Sequence, residues 1–334
     1  MQFFHFKSFV ALACRSALSV GAALGIALVT CQAHAQQTAA TLQAKYENSV
    51  VQLRLMVVGG NTGRSIATGF LAHRNDWVVT NYHAIDELIF KPEDYYMLVE
   101  NEQGEVRQAQ VLDVDVIADL AILQLDKPIN AALLPIQTRV PPKGTKGFSM
   151  GYPGTYGQTI TEGVLNGEVE NTTGTALHYA GAVNPGMSGG PVFDDKGQVV
   201  GVNESHSTRN QLVSFAVPSK TVQRLIRMAQ ERAQVPKPKR LQEDVFTEVL
   251  QYGQKIAFRA VSKPNVNVDL GPYEVLGYLS GEQPCDESLS PAGKLMMRRV
   301  NLSCRGVSGV YLSHNFEAAE MSLHHTWLKM DEAA

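Results

Sequence analysis

The chain has 334 residues, of which 44% are hydrophobic and 18% are charged, and its formal net charge is −3 at pH 7. This composition is typical of a globular protein, and the length predicts about two domains. The small negative charge excludes a global basic surface of the kind that binds nucleic acid, so we expect no nucleic-acid partner.

The first 35 residues have the pattern of a secretory signal peptide. They contain one lysine, one arginine and no acid, with an apolar run at 17–30 and Ala-His-Ala at 33–35. Because the apolar run is too short for a comfortable membrane span, we expect cleavage after residue 35, export to the periplasm and no stable span afterwards. An uncleaved anchor is the alternative, and lipid attachment at Cys31 is disfavoured by the threonine before it.

Cysteine usage agrees with export. Cys14 and Cys31 lie in the signal segment, so the mature chain keeps only Cys285 and Cys304. An even pair in an exported chain predicts one disulfide, although two reduced, buried thiols are the alternative.

Short apolar segments separated by turn residues dominate the region from 46 to 218. Examples are "VVQLRLMVV" (50–58), "DLAILQLD" (119–126) and "QVVGVNES" (198–205). Many short strands with hardly any helix indicate an all-β sandwich or barrel, and a stretch at 135–147 rich in proline and glycine suggests a seam between two β halves.

Helix signals come later in the chain. Residues 219–234 carry an apolar stripe of Val222, Leu225, Ile226 and Ala229, with Ser219 as a candidate N-cap. We interpret the proline-rich stretch 233–242 as a linker and 243–334 as a small α+β domain. In that domain the sequence predicts a helix at 243–253, strands at 255–261 and 273–279, and a closing helix near 316–330.

The stretch "NPGMSGGPVFD" (184–194) places Ser188 among three glycines and two prolines. Glycine allows backbone conformations that other residues avoid and lets another backbone or a ligand come close. The segment is therefore either a tight turn before a strand or a nucleophile loop whose amides converge on one point.

A serine nucleophile needs a base, and a histidine suits that role because its pKa lies near neutrality. His83 lies in "VVTNYHAID", where a buried strand meets a short polar turn, although a lone histidine there is often structural. A third group must orient the imidazole, and Asp119 at the mouth of "DLAILQL" needs a partner for its half-buried carboxylate. Asp113 and Asp115 have the pattern of ordinary acids at a strand end.

Taken together, these motifs resemble the trypsin-like (chymotrypsin-fold) serine proteases, in particular the bacterial HtrA/Deg branch. The resemblance covers residues 46–232, and its motifs occur in that family's order: "TGF" (68–70), "VVTNYHAID", "DLAILQL", "GYPG" (151–154), "TITEGVLNG" (159–167) and "NPGMSGGPVFD". It implies two six-stranded antiparallel β-barrels and an exported endopeptidase acting on protein or peptide substrates.

The same resemblance assigns roles to individual residues. His83 would be the general base, Asp119 its orienting partner and Ser188 the nucleophile. The loop residues Gly186, Met187 and Ser188 would form the oxyanion hole, with the amides of Gly186 and Ser188 as donors. Met187 departs from the family pattern, because HtrA relatives usually carry asparagine there and animal enzymes carry an acid. This departure raises the question of how well the hole is preformed.

The substrate pocket is expected to lie between "YAGAVN" (179–184) and "LVSFAV" (212–217). Ala182 stands six residues before the serine, where trypsin-type enzymes place an acid, and Val213 and Phe215 would form the other wall. We therefore expect cleavage after small or medium apolar residues. The strand 212–217 is also expected to offer an edge to an extended substrate.

The rest of the chain leaves rival functions open. After residue 240 we find no convincing glycine-rich loop of a PDZ domain, and oligomerisation is possible but not indicated. Metal binding at His314, His324 and His325 is disfavoured because the last two are adjacent and point apart, so we expect no metal and no cofactor. A catalytically silent protease fold that binds peptides is the main rival, and an esterase on the same fold is another. An α/β-hydrolase is disfavoured, because the order here is His, Asp, Ser.

Overall fold

The computed structural model describes residues 38–60, 63–170, 174–206, 213–232, 234–262, 266–278, 285–290, 297–307, 310–313, 316–318 and 321–330. The segment predicted as a signal peptide lies outside the described residues. In the part of the chain that is described, no helix has the length and apolar character needed to cross a membrane.

The first half of the chain forms a closed six-stranded antiparallel barrel. A helix, α1 (Ala39–Tyr46), precedes it, and a 3-10 helix (Tyr82–Ala84) and α2 (Asp86–Phe90) follow its third strand. The strands are β1 (Val50–Val57), β2 (Gly63–Leu71), β3 (Trp77–Thr80), β4 (Tyr95–Glu100), β5 (Val106–Asp115) and β6 (Leu120–Leu125). Around the barrel they follow the order β1-β2-β3-β6-β5-β4.

A second closed six-stranded barrel follows from residue 145 onward. Its strands are β7 (Thr145–Gly151), β8 (Thr159–Glu170), β9 (Thr175–Ala180), β10 (Pro191–Phe193), β11 (Val199–His206) and β12 (Ser214–Pro218). They follow the order β10-β11-β12-β9-β8-β7. The two barrels confirm the fold expected from the sequence, and the segment joining them contains the predicted seam.

The two barrels share a hydrophobic core where they face each other. One cluster of buried residues combines Phe70 and Val79 of the first barrel with Phe148 and Phe193 of the second. Tyr46 of α1 joins this cluster and stacks on the Phe193 ring, with 5.6 Å between ring centroids. The shared core fixes the two barrels relative to each other at the cleft between them.

Helix α3 (Ser219–Glu231) leaves the second barrel and packs its apolar stripe into the same shared core. The four residues of the predicted stripe are all buried, as expected for a helix covering a core. Ser219 lies one residue inside the helix, and its hydroxyl donates to the carbonyl oxygen of Gln137. It therefore ties α3 to the segment between the barrels and does not cap the helix.

The C-terminal region combines one long helix with small sheets. These elements are α4 (Pro238–Ser262), β13 (Val266–Leu270), β14 (Tyr273–Tyr278), β15 (Cys285–Ser290), β16 (Met297–Val307), β17 (Val310–Ser313), β18 (Phe316–Ala318) and β19 (Met321–Met330). β13 pairs with β14 and β17 with β18, while β15, β16 and β19 form a three-stranded sheet. Cys285 of β15 and Cys304 of β16 are directly opposite in the ladder.

Three sequence predictions in this region differ from the structure. Residues 255–261 continue α4 and do not form a strand, and α4 begins at Pro238, inside the stretch interpreted as a linker. Proline is favoured in the first turn of a helix because its missing N–H needs no partner there. The predicted closing helix is wrong, because β18 and β19 occupy it. Pairing of β19 along β16 outweighs the helix propensity of its residues.

Arg232, at the end of α3, joins three elements that are distant in sequence. Its Nη2 lies 2.7 Å from Asp113 Oδ1 of β5 and 3.0 Å from Asp244 Oδ2 of α4. The Asp113 side chain is only 2% exposed. Asp113 and Asp115 are thus not ordinary acids at a strand end, since Asp115 is also buried and binds Arg224.

We expect Arg232→Ala to lower the free energy of unfolding by about 3 kcal/mol, because it leaves the buried Asp113 carboxylate without a cation. Urea denaturation of the purified protein measures this change. Arg227→Ala, at an exposed position of the same helix, is the matched control. Adding Asp113→Asn to Arg232→Ala should recover part of the loss, and an unchanged midpoint in Arg232→Ala would contradict the role of the pair.

Candidate active site

His83 and Asp119 form a direct pair at the mouth of the first barrel. His83 Nδ1 lies 2.7 Å from Asp119 Oδ2, and the backbone N–H of His83 donates to Asp119 Oδ1 over 2.9 Å. The 3-10 helix after β3 presents the ring, whose side chain is 40% exposed, while that of Asp119 is 19% exposed. One carboxylate therefore holds both the ring and the backbone of the histidine.

The backbone of Asp119 is in the left-handed region, with φ of 52°. Few residues other than glycine adopt this conformation, but Asp and Asn do so more readily than most. The Asn81 side-chain amide donates to the Asp119 carbonyl oxygen over 2.8 Å and holds the residue there. This backbone turn aims the carboxylate at His83.

The loop around Ser188 depends on two glycines with positive φ. Gly186 has φ of 98° and Gly189 has φ of 82°. A Cβ at Gly186 would lie 2.3 Å from the Tyr152 carbonyl oxygen, and one at Gly189 would lie 2.2 Å from the Thr68 carbonyl oxygen. The glycine-rich sequence is thus required by backbone conformation and by the close approach of the segment after β7 to Gly186 and of β2 in the first barrel to Gly189.

Thr68 of β2 connects the two barrels at this loop. Its N–H donates to the Ser188 carbonyl oxygen over 2.8 Å, and its hydroxyl donates to the Gly186 carbonyl oxygen over 2.7 Å. The same hydroxyl accepts the N–H of Tyr152 over 2.9 Å. These bonds place the Ser188 loop against the strands that lead to His83.

Two amides of the loop are free to bind an anion. Within the described residues, the N–H groups of Gly186 and Ser188 donate no hydrogen bond, whereas the N–H of Met187 donates to the Asn184 carbonyl oxygen over 2.9 Å. Amides fixed in this way are the usual donors of an oxyanion hole.

Met187 braces the loop by packing. Its side chain is fully buried in a cluster with Leu177, Tyr179 and Val192 of the second barrel. Its carbonyl oxygen accepts the N–H of Gly190 over 3.0 Å. A methionine at this position therefore anchors the loop through the core of the second barrel.

The Ser188 hydroxyl is not bonded to His83 in this structure. It donates to the backbone carbonyl oxygen of Glu204 over 3.3 Å, and among the described residues no hydrogen bond joins it to the imidazole. Catalytic hydrogen bonds are often long or poorly aligned without substrate and tighten when substrate binds.

Glu204 is a residue near the pair that the sequence analysis did not single out. It is the extra residue of a β-bulge in β11, where Asn203 pairs with Ala216 but Ser205 pairs with Phe215. Bulges re-aim a side chain and are frequent near active sites. Burial, together with the charge of Asp119, raises the pKa of the Glu204 carboxyl to about 7, while His83 lowers it. The sequence signal for this residue is an acid, Glu204, two positions after the apolar run of β11.

The charges around His83 favour its protonated form. Burial lowers the pKa of the imidazole, but the charge and hydrogen bond of Asp119, with smaller effects of Glu204 and Asp86, raise it above its ordinary value. The charges of His83 and Glu204 therefore act on each other's pKa.

The other histidines considered do not form such a pair. His73 is exposed and its Nε2 bonds to Gln230 over 3.0 Å, while His178 lies beside Phe215. His324 and His325 follow each other on β19, and His314 lies outside the described residues. Among the described residues no group of three or more His, Cys, Asp or Glu side chains is arranged to hold a metal ion.

The predicted pocket residues do not share one face. The Phe215 ring lies beside His178, 5.9 Å between centroids, on the face of β12 opposite to the buried Ser214 and Ala216. Side chains alternate along a strand, so the residues of β12 that face inward are Ser214 and Ala216. Ser214 Oγ donates to the carbonyl oxygen of Gly181, next to the half-buried Ala182, over 3.0 Å. Val213, directly before β12, is also half-buried.

The predicted substrate edge is also placed differently. β12 pairs with β11 on one side and with β9 on the other, so the prediction that 212–217 offers an edge is wrong. β10 pairs with β11 only as far as Val202. From Glu204 onward, β11 pairs with β12 alone among the described strands, which leaves its other side open.

Residues 67–202 match the family model described as the trypsin-like peptidase domain. This part of the chain is similar to trypsin-like peptidase domains. The match includes His83, Asp119 and Ser188, and it supports the resemblance stated from the sequence motifs.

Related sequences are serine proteases of the HtrA and Deg type. The chain is 28% identical over 179 residues to the serine protease Do-like HtrB of Bacillus subtilis, covering 48% of this chain and 37% of HtrB. It is 27% identical over 180 residues to the serine endoprotease DegS of Escherichia coli, covering 49% of each. The chain thus matches half or less of the length of these relatives.

Solved structures share the fold. The HtrA-type protease AlgW with a decapeptide superimposes with a TM-score of 0.52 at 20% identity, covering 63% of this chain and 75% of AlgW. A serine endoprotease from Yersinia pestis gives a TM-score of 0.50 at 22% identity, covering 60% of this chain and 69% of that one.

We expect His83 of the peptidase domain to titrate with a pKa above the ordinary 6.5, and two substitutions to lower it. Asp119→Asn keeps the left-handed backbone but removes the main charge, and Glu204→Gln removes a second charge that acts on the ring. NMR titration of the imidazole measures each pKa. Glu231→Gln, at an exposed position of α3, should leave the titration unchanged. A His83 pKa at or below 6.5 in the unaltered protein would contradict the coupling.

Proposed function

We propose that the protein is a serine endopeptidase that uses His83 as general base, Asp119 as its orienting partner and Ser188 as nucleophile. The observation that carries this proposal is the His83–Asp119 pair, 2.7 Å between Nδ1 and Oδ2, beside a serine loop with two free amides. The serine proteases among its relatives support it.

The chemistry follows from these positions. His83 Nε2 takes the Ser188 hydroxyl proton as Oγ attacks the substrate carbonyl carbon, and Asp119 stabilises the resulting imidazolium. The oxyanion forms beside the amides of Gly186 and Ser188. The imidazolium then protonates the leaving amine, and a water molecule, deprotonated by His83, hydrolyses the acyl-enzyme.

We propose that the substrate is an unfolded or extended peptide. The open side of β11 after Asn203 can pair with an extended backbone, a common mode of peptide recognition. A pocket walled by Ala182, Val213 and the inner-face residues Ser214 and Ala216 carries no charged side chain. It suits a small or medium apolar residue before the cleaved bond.

We further propose that the protein is exported to the periplasm with one disulfide between Cys285 and Cys304. Their directly opposite positions in β15 and β16 bring the two backbones close enough for a bridge. Relatives named as periplasmic serine proteases support the location. Intact-mass measurement after alkylation without reductant should find no free thiol in the mature chain, and two alkylated cysteines would contradict the disulfide. Self-association remains a prediction.

We expect the purified protein to digest casein and Ser188→Ala to reduce that activity on the order of 10⁶-fold, because the nucleophile is lost. Gel electrophoresis of the digest follows the reaction. Ser262→Ala, at an exposed position at the end of α4, is the matched control and should cleave like the unaltered protein.

Labelling by a fluorophosphonate separates the rival functions. An activated Ser188 reacts with the probe, whereas a silent peptide-binding fold does not. If the probe labels Ser188 but casein stays intact while a small ester is hydrolysed, the protein is an esterase. If neither probe nor casein reacts, the peptidase proposal fails.

Mass spectrometry of the casein fragments tests the pocket. Cleavage after alanine, valine or similar residues fits walls without charge. Fragments that end mainly in arginine or lysine would overturn this part of the proposal.

A further inference from the structure

The C-terminal helix α4 is built into the first barrel. Leu241 and Val245 are buried in the core cluster of that barrel, and Val249 packs against the same cluster. Gln242 Nε2 also donates to the carbonyl oxygen of Ile89 over 2.7 Å. The region after the peptidase domain is therefore held firmly against the barrel that carries His83 and Asp119.

On α4, Glu248 lies three residues after Val245 and reaches a single turn of the barrel. Its Oε2 accepts the N–H of Val116 over 3.2 Å, and its Oε1 accepts the N–H of Ile117 over 3.3 Å. One carboxylate thus binds two consecutive amides, with one oxygen for each.

This turn ends at Asp119. The Asp119 N–H donates to the Val116 carbonyl oxygen over 3.2 Å, and the Ala118 N–H donates to Asp115 Oδ1 over 3.0 Å. The residue that bonds His83 Nδ1 is therefore the last residue of a turn whose first two amides are bound by Glu248.

The turn packs inward through Val116 and Ile117 and borders a cavity on its outer side. Ile117 and Ala118 line this open cavity of about 520 Å³ together with Glu204, Glu248 and Arg224. Removing the Glu248 carboxylate would leave the two amides to water in this cavity.

We propose that Glu248 is a positioning residue, which fixes the 116–119 turn from the C-terminal helix so that the Asp119 carboxylate meets His83. The proposal rests on the proposed function for its effect on catalysis, although its effect on the His83–Asp119 pair can be measured without any activity. In this proposal helix α4, which follows the peptidase region, helps to position Asp119 beside His83.

The positioning effect of Glu248 on Asp119 can be separated from any direct effect of the Glu248 charge on the His83 pKa. The acids that act on the His83 pKa are Asp119, Glu204 and Asp86, and Glu248 is not among them. Glu248 instead faces Asp115, whose charge adds to burial in raising the Glu248 pKa, and it acts weakly on Tyr82. Lys220, Arg224 and Lys255 line the same cavity. Glu248→Ala and Glu248→Gln remove the same charge, so a difference in the His83 pKa between these two variants reports movement of Asp119.

The test compares Glu248→Ala and Glu248→Gln with Glu243→Gln, an exposed acid one turn earlier on α4. Glu248→Ala should lower the His83 pKa seen by NMR toward that of Asp119→Asn, and Glu248→Gln, which keeps one acceptor, should have a smaller effect. On a peptide substrate, kcat should fall about 10- to 100-fold in Glu248→Ala with KM unchanged, because the orienting group is misplaced. Glu243→Gln should change neither.

Combining the substitutions excludes mere unfolding. In an Asp119→Asn background, Glu248→Ala should cause no further fall of kcat, since the group through which it acts is gone. An equal fall in both backgrounds, or an unchanged His83 pKa in Glu248→Ala, would overturn the proposal. If Ser188→Ala cleaves as well as the unaltered protein, the proposed function fails, and the NMR titration alone still decides whether Glu248 positions Asp119.

Discussion

The arrangement of the site depends on the hydrogen bonds of Thr68. This fully buried residue of the first barrel binds the loop of the second barrel at two carbonyl groups, those of Gly186 and Ser188. Because buried polar groups must be paired, the bonds define one position of the loop and not a range of positions. The proposed nucleophile, Ser188, and the proposed base, His83, lie in different barrels, so they can cooperate only if such contacts fix the barrels at the loop. Gly189, which a Cβ would drive into the Thr68 carbonyl oxygen, makes this short approach to the first barrel possible.

Much of this architecture could be predicted from the sequence because its signals are local. Short apolar runs between turn residues predicted an all-β sandwich or barrel in two halves, and the resemblance of the motifs to trypsin-like proteases implied two six-stranded barrels. The pairing of His83 with Asp119 followed from the need of a half-buried carboxylate for a partner. The glycines around Ser188 predicted close approach, and the structure supplies the two neighbours that they approach. In each case the decisive residues lie within a few positions of one another or belong to motifs in a recognisable order.

The features that the sequence did not predict depend on contacts between residues that are distant in the chain. Local sequence patterns carry no information about such contacts. The direction of the Met187 side chain is set by the core of the second barrel, and the bulge at Glu204 is set by the register of β11 against β12. Glu248 meets Val116 across 132 residues of chain. The residues of β19 have the composition of a helix, but they form a strand because they pair with β16. Phe215 lies on the face of β12 opposite to Ser214 and Ala216, as alternation along a strand dictates.

The left-handed backbone of Asp119 restricts which residues can replace it. Asparagine and glycine adopt that conformation readily. For most other residues a left-handed backbone costs on the order of 1 kcal/mol or more, so they would strain the turn. Substitutions that survive folding at this position are therefore those that keep the shape of the turn while discarding the negative charge. A descendant of this chain with such a substitution could retain both barrels, the turn and the histidine in nearly the same places. Resemblance of the backbone is consequently weak evidence for activity in such a descendant, and the chemical identity of the side chain at position 119 would be the more informative observation.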